Sequence, residues 1–224
     1  MITNVKTKSQ PQVKTKIPVA TVSGVVLALL GPTMLVLLAS YLKLGFIGSE
    51  LFFWGLTLAI LIIVRVWERK PFSSIGFQRF TLKDAGWAIV FAAALFLSFP
   101  VIYGTLIWLE VPVATEMFKA IGALPVPILC LLALRAGVTD EILNRGFLIE
   151  RLLLITNNKV VAAVLPLLIF IMSHLAWGVA HLLFVTVGGI LLTLLYFWKR
   201  NLWLNIICHF VVDLSLFLIM PSQY

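Results

Sequence analysis

Asp140, Glu141, Asn144 and Arg145 stand together in a run that is otherwise strongly apolar. A carboxylate in hydrocarbon is unfavourable by roughly 3 kcal/mol or more unless something compensates it. On a helix, Glu141 and Arg145 are i,i+4 neighbours and can pair. Asp140 and Asn144 form a second such pair, rotated by about 100°. Two later apolar runs carry further polar groups. "FIMSHLAWG" holds His174, and "NIICHFVVDL" sets Asn205, His209 and Asp213 at i, i+4 and i+8 on one face. Residue counting puts Glu141 and His174 near mid-membrane and His209 nearer the inner surface.

These residue types suit hydrolysis. A carboxylate and an imidazole can share general-base work on one water. A second imidazole with a polar partner can stabilise an oxyanion. Asp140 or Glu141 with His174 and His209 could instead ligate zinc. Buried acids and histidines also relay protons in ion-coupled transporters, and His174 with His209 could hold a haem. A serine nucleophile is not evident. Ser173 adjoins His174, but adjacent helix positions do not face one another, and Ser215 lies off the His209 face. No "HExxH" occurs, so the common zinc-peptidase helix is absent. Arg135, further up the same run, reads as an interfacial or structural arginine.

The elements that position these groups are membrane helices. Of 224 residues, 62% are hydrophobic and 12% charged, with a mean hydropathy of +1.10. Soluble domains are about 25% charged, so the expected class is all-α, a polytopic membrane helix bundle. Spans are expected near 18–41, 51–67, 86–109, 125–154, 160–177, 182–198 and 202–220, with 71–85 interfacial. That gives about seven transmembrane helices, with eight as the alternative count, and a core formed by the last four. Domains follow: a basic cytoplasmic tail over 1–17, N-terminal helices over 18–123 and the polar-bearing core over 124–220.

The net charge of +8 does not indicate nucleic acid. The basic residues sit in short segments between apolar runs, and no recognition signature is visible. Lys6, Lys8, Lys14 and Lys16, then Arg65 to Lys83, Arg151 with Lys159, and Lys199 with Arg200 all fall on one side. The basic bias predicts a cell-membrane protein with its N-terminus cytoplasmic. Cys130 and Cys208 lie inside apolar runs and are expected to be unbridged.

The polar residues resemble a known family, the intramembrane CAAX-processing and bacteriocin-processing (CPBP or Abi) proteases. The family's Glu-Glu-x-x-x-Arg motif is matched by Asp140-Glu141-Ile-Leu-Asn-Arg145, followed by Gly146. Its Phe-x-x-x-His motif is matched by Phe170 to His174, and its His-x-x-x-Asn/Asp motif by His209 to Asp213. The resemblance covers about 124–220. It implies that Asp140 and His174 activate water, that Glu141 and Arg145 support the site, and that His209 and Asp213 form the oxyanion-stabilising pair. Two positions depart from the prenyl-processing pattern: Asp140 replaces Glu, and Asp213 replaces Asn.

The expected function is therefore an intramembrane endopeptidase of CAAX type, acting on membrane-associated, prenylated or leader-type peptides. No cofactor is expected; zinc, were it used, would fall to Glu141, His174 and His209. The expected partners are a membrane-associated peptide or protein substrate and the lipid bilayer. The alternatives are a weakly catalytic or non-catalytic relative acting in bacteriocin self-immunity or as a scaffold, and an ion-coupled transporter. No feature of the sequence reports the oligomeric state.

Overall fold

A computed structural model describes residues 17–113 and 116–219. The expected tail, apart from residue 17, and residue 220 at the end of the last span lie outside these residues. The described chain is helical throughout. Helices α1 (Val19–Tyr41) and α2 (Phe46–Ile62) are followed by a π-helical turn (Ile63–Trp67) and a short 3₁₀ turn (Phe72–Ile75). Next come α3 (Leu82–Trp108), α4 (Glu116–Gly122) and α5 (Val126–Asp140). A π-helical stretch (Glu141–Ile149) joins α5 directly to α6 (Glu150–Thr156). Helix α7 (Lys159–Met172), a 3₁₀ turn (Leu175–Trp177), α8 (Val179–Lys199) and α9 (Leu202–Ile219) complete the order.

Local chemistry sets the boundaries. Thr81 and Asp84 form a reciprocal capping box that starts α3, satisfying two otherwise unpaired donors. The Asn158 side chain accepts from the amides of Val160 and Val161 and starts α7. Asn157 ends α6 at φ 51°, a left-handed position that Asn tolerates. Pro125 precedes α5, where its missing amide is harmless.

Among the described residues, five helices are long and apolar enough to cross a membrane: α1, α2 with its π turn, α3, α8 and α9. The other two expected spans differ in kind. Residues 126–156 form one continuous helical path, but buried charges and π geometry interrupt it. Helix α7 has 14 residues, or about 21 Å at 1.5 Å each, short of the ~30 Å hydrocarbon core. The multi-pass character is clear from the surface. Leu51, Ile89, Leu97 and Val101 are each more than 60% exposed on long apolar helices, which suits lipid and not water.

Among the described residues the interior has two apolar clusters. Val64, Ile75, Phe147, Leu148, Tyr196 and Leu202 pack in one, and Ala88, Leu95, Phe184, Leu204, Cys208 and Val212 in the other. Both Cys130 and Cys208 are free.

One end of the bundle is basic and tightly tied. Arg151 donates through Nε and Nη2 to the Glu68 carboxylate, the shortest contact being 2.6 Å, and through Nη1 to the Ser74 carbonyl at 2.9 Å. Thr21 donates to Glu68 at 2.7 Å, which brings the start of α1 to the same end. Arg200 pairs with Glu150 at 2.7 Å, and the Leu202 amide donates to the Gly76 carbonyl at 2.7 Å. The expected interfacial segment thus folds beneath the bundle, with Ile75 fully buried. Arg65, Arg69, Arg79, Lys83 and Lys159 are exposed around this end.

Candidate active site

Three elements deliver the polar groups: the α5–π–α6 path, the end of α7 and the middle of α9. Helix α5 crosses α9 closely because Gly137 has no side chain. A Cβ there would lie 3.0 Å from the Ile206 carbonyl oxygen and 3.1 Å from the Phe210 nitrogen. Gly146 plays the same part lower down, where a Cβ would lie 2.8 Å from the Ile75 carbonyl oxygen.

Glu141 is fully buried at the centre of a hydrogen-bonded hub. Arg145 Nη1 donates to Glu141 Oε1 at 2.8 Å. His209 Nδ1 lies 2.8 Å from the same oxygen. Asn205 Nδ2 donates to Glu141 Oε2 at 3.2 Å and to the Leu192 carbonyl at 2.7 Å. Arg145 Nη2 donates to the Gly189 carbonyl at 3.2 Å, and its guanidinium lies 4.7 Å from the Phe170 ring centre. A buried ion pair is tolerable only when its remaining valences are met in this way. An ionised carboxylate only accepts, so the His209 proton on this side sits on Nδ1. His209 Nε2 then faces Asp213, 3.4 Å away.

Asp140 has a different environment. It lines a cavity of about 450 Å³ together with His174, His181, His209, Asp213 and Arg135. Glu141 does not reach this cavity. His174 directs Nδ1 at the Phe170 carbonyl, 2.8 Å away. A carbonyl accepts and never donates, so Nδ1 carries the proton and Nε2 is the basic nitrogen. The remaining wall is largely apolar, with Leu95, Phe99, Phe184, Leu216 and Phe217.

Several expectations change here. His209 contacts Glu141 directly, which brings the two side chains to nearly the same level of the bundle. Asn144 donates to the main-chain carbonyl of Asp140 at 2.9 Å, leaving the Asp140 carboxylate to the cavity. Arg135 is more than interfacial. It pairs with Glu50 at 3.0 Å, lies 4.8 Å from the Phe53 ring centre and lines the cavity. Among the described residues no three His, Cys, Asp or Glu side chains are grouped to hold a metal ion. The oxygens of Glu141 are taken by Arg145, His209 and Asn205, so a Glu141–His174–His209 zinc set does not assemble.

His181 was not anticipated from the sequence. It stacks on Trp177 at 4.6 Å between ring centres and lies 5.5 Å from the His174 ring. Its spacing of seven from His174 was the available signal. His174 lies in the turn that follows α7, and the 3₁₀ turn at Leu175–Trp177 with Gly178 leads into α8, which carries His181.

Residues 122–215 match the family model for Type II CAAX prenyl endopeptidase, Rce1-like. No curated protein and no solved structure matches the chain.

Proposed function

Because the match over residues 122–215 supports assignment to the CPBP/Abi family of CAAX-type intramembrane proteases, we propose that this protein hydrolyses peptide bonds of membrane-associated substrates. The observation that carries the reading is convergence: Asp140, His174, His209 and Asp213, from three helical elements, line one cavity.

Asp140 and the basic Nε2 of His174 take a proton from one water as its oxygen attacks the scissile carbonyl carbon. The carbonyl π electrons move onto oxygen, and the oxyanion forms beside His209. As an imidazolium between the Glu141 and Asp213 carboxylates, His209 carries a proton on Nε2 as well as on Nδ1. Collapse of the tetrahedral species breaks the C–N bond. The proton held at His174 or Asp140 passes to the leaving amine, giving one new carboxyl and one new amino terminus. Glu141 and Arg145 act as positioning residues by fixing the His209 ring. Asp213 does not itself donate to the oxyanion when ionised; it orients Nε2 of His209 from the cavity side.

In the proposed topology, the 126–156 path and α7 complete seven traverses, and the basic end faces the cytoplasm. The substitutions at 140 and 213 favour one second reading, a non-catalytic relative that uses the cavity for binding alone.

The test uses purified protein in liposomes with two probes, a farnesylated CAAX peptide and an unmodified leader-type peptide. The expected result is cleavage of at least one probe, with His174→Ala lowering turnover by ~100-fold or more while the melting temperature stays unchanged. Equal turnover by wild type and His174→Ala would remove His174 from the mechanism. Binding of a probe without products from either would favour the second reading.

A further inference from the structure

The cavity lies mainly in one half of the bundle, passing mid-helix on α8 only as far as Leu192. On the continuous 126–156 path it is lined by Leu132, Arg135, Ala136 and Asp140, all before the midpoint, with Asp140 the deepest. On α7 the lining residue is Phe170, near the helix end opposite Lys159. On α9 it runs from His209 to Phe217, again away from the Leu202 start. On α8 it begins at His181, near the start of the helix, and goes no deeper than Leu192. Ala120, Ile121 and Leu124, from the α4 region, line its outer part.

Toward the basic end the structure is closed. Below Asp140 come the Glu141–Arg145–Asn205 hub and then a layer of Phe147, Leu148 and Leu202, each fully buried. Beneath that layer, Arg151 ties Glu68 to the segment under the bundle. A peptide approaching from the basic face would have to break a buried, hydrogen-bonded ion pair and a packed apolar layer. On the opposite side, Leu124, Ala136 and Asp140 line the cavity and are partly exposed.

We infer that the site is loaded from the membrane face opposite the basic loops, and that its substrates are peptides with large apolar side chains presented at that extracytoplasmic leaflet. The apolar outer wall receives those side chains, and Asp140 and His174 lie at its inner limit. What enters the cavity rests on the proteolytic reading; where the cavity opens does not. With basic loops cytoplasmic, a soluble cytoplasmic prenylated chain would meet the closed face.

The experiment uses the full chain with Cys130→Ala and Cys208→Ala, carrying Leu124→Cys, Ala136→Cys or, as a marker of the basic end, Lys159→Cys. A membrane-impermeant maleimide is added to intact cells and to permeabilised cells. The expected result is labelling of Leu124→Cys and Ala136→Cys in intact cells, with Lys159→Cys labelled only after permeabilisation. Labelling of both cavity positions only after permeabilisation, together with Lys159→Cys, would overturn the inference. So would labelling of Lys159→Cys in intact cells. A leader-type peptide is then added to either face of sealed vesicles of known orientation. Cleavage only from the extracytoplasmic face supports the inference, and cleavage only from the cytoplasmic face overturns it. Absence of cleavage from both faces, with the labelling pattern as expected, would count against the proteolytic reading and leave the access route standing.

Discussion

Two neighbouring carboxylates have been given different surroundings, and one residue of offset on a helix is the cause. Asp140 faces a cavity, whereas Glu141, turned by about 100°, meets Arg145, His209 and Asn205 with no exposure. The Glu141–Arg145 pair was legible as i,i+4 spacing, and the residues were legible as members of one polar set. Which carboxylate reaches the cavity was not, because it depends on the azimuth of α5 against α9. His181 was missed for a related reason: a turn, not helical periodicity, brings it beside His174. Glu141→Ala leaves Arg145 buried without its carboxylate partner. Its expected effect is a loss of ~3–5 kcal/mol in stability, read as a lowered melting temperature in detergent. An unchanged melting temperature would show that the hub is not structural.

At the scale of elements, close backbone approach registers the site. Gly137 lets α5 lie against α9, and this contact fixes Asp140 relative to His209 and Asp213. Alanine at 137 would gain up to ~1 kcal/mol in helix propensity. Its Cβ would press on main-chain atoms 3.0 and 3.1 Å away, and such overpacking is unfavourable by ~1–3 kcal/mol. The second effect wins. Gly137→Ala is expected to lower the melting temperature and to reduce turnover by ~10-fold or more, since small misplacements of reacting groups are costly. Full turnover in this variant would mean that α5–α9 spacing does not set the geometry. Hydropathy located the first span closely, expected at 18–41 and observed at Val19–Tyr41, but the span expected at 160–177 is a helix ending at Met172. It did not reveal that 141–149 is π-helical. An i,i+4 pattern is compatible with both geometries, and the buried partners come from distant segments.

For the whole molecule, the charge distribution and the cavity point to opposite ends. The basic end is sealed by the Arg151–Glu68 and Arg200–Glu150 pairs, and the opposite half holds the cavity. Basic bias along the sequence told which ends belong together, but the position of the cavity needed the packed helices. Under the proposed mechanism the chemistry turns on Asp140, because, of the adjacent carboxylates Asp140 and Glu141, it is the one that lines the cavity. The most direct measurement compares peptide cleavage by wild type and Asp140→Asn in liposomes, with melting temperatures taken in parallel. The predicted result is a variant that melts with the wild type and turns over ~100-fold or more slowly. Wild-type turnover in Asp140→Asn would contradict the assignment of water activation to this residue.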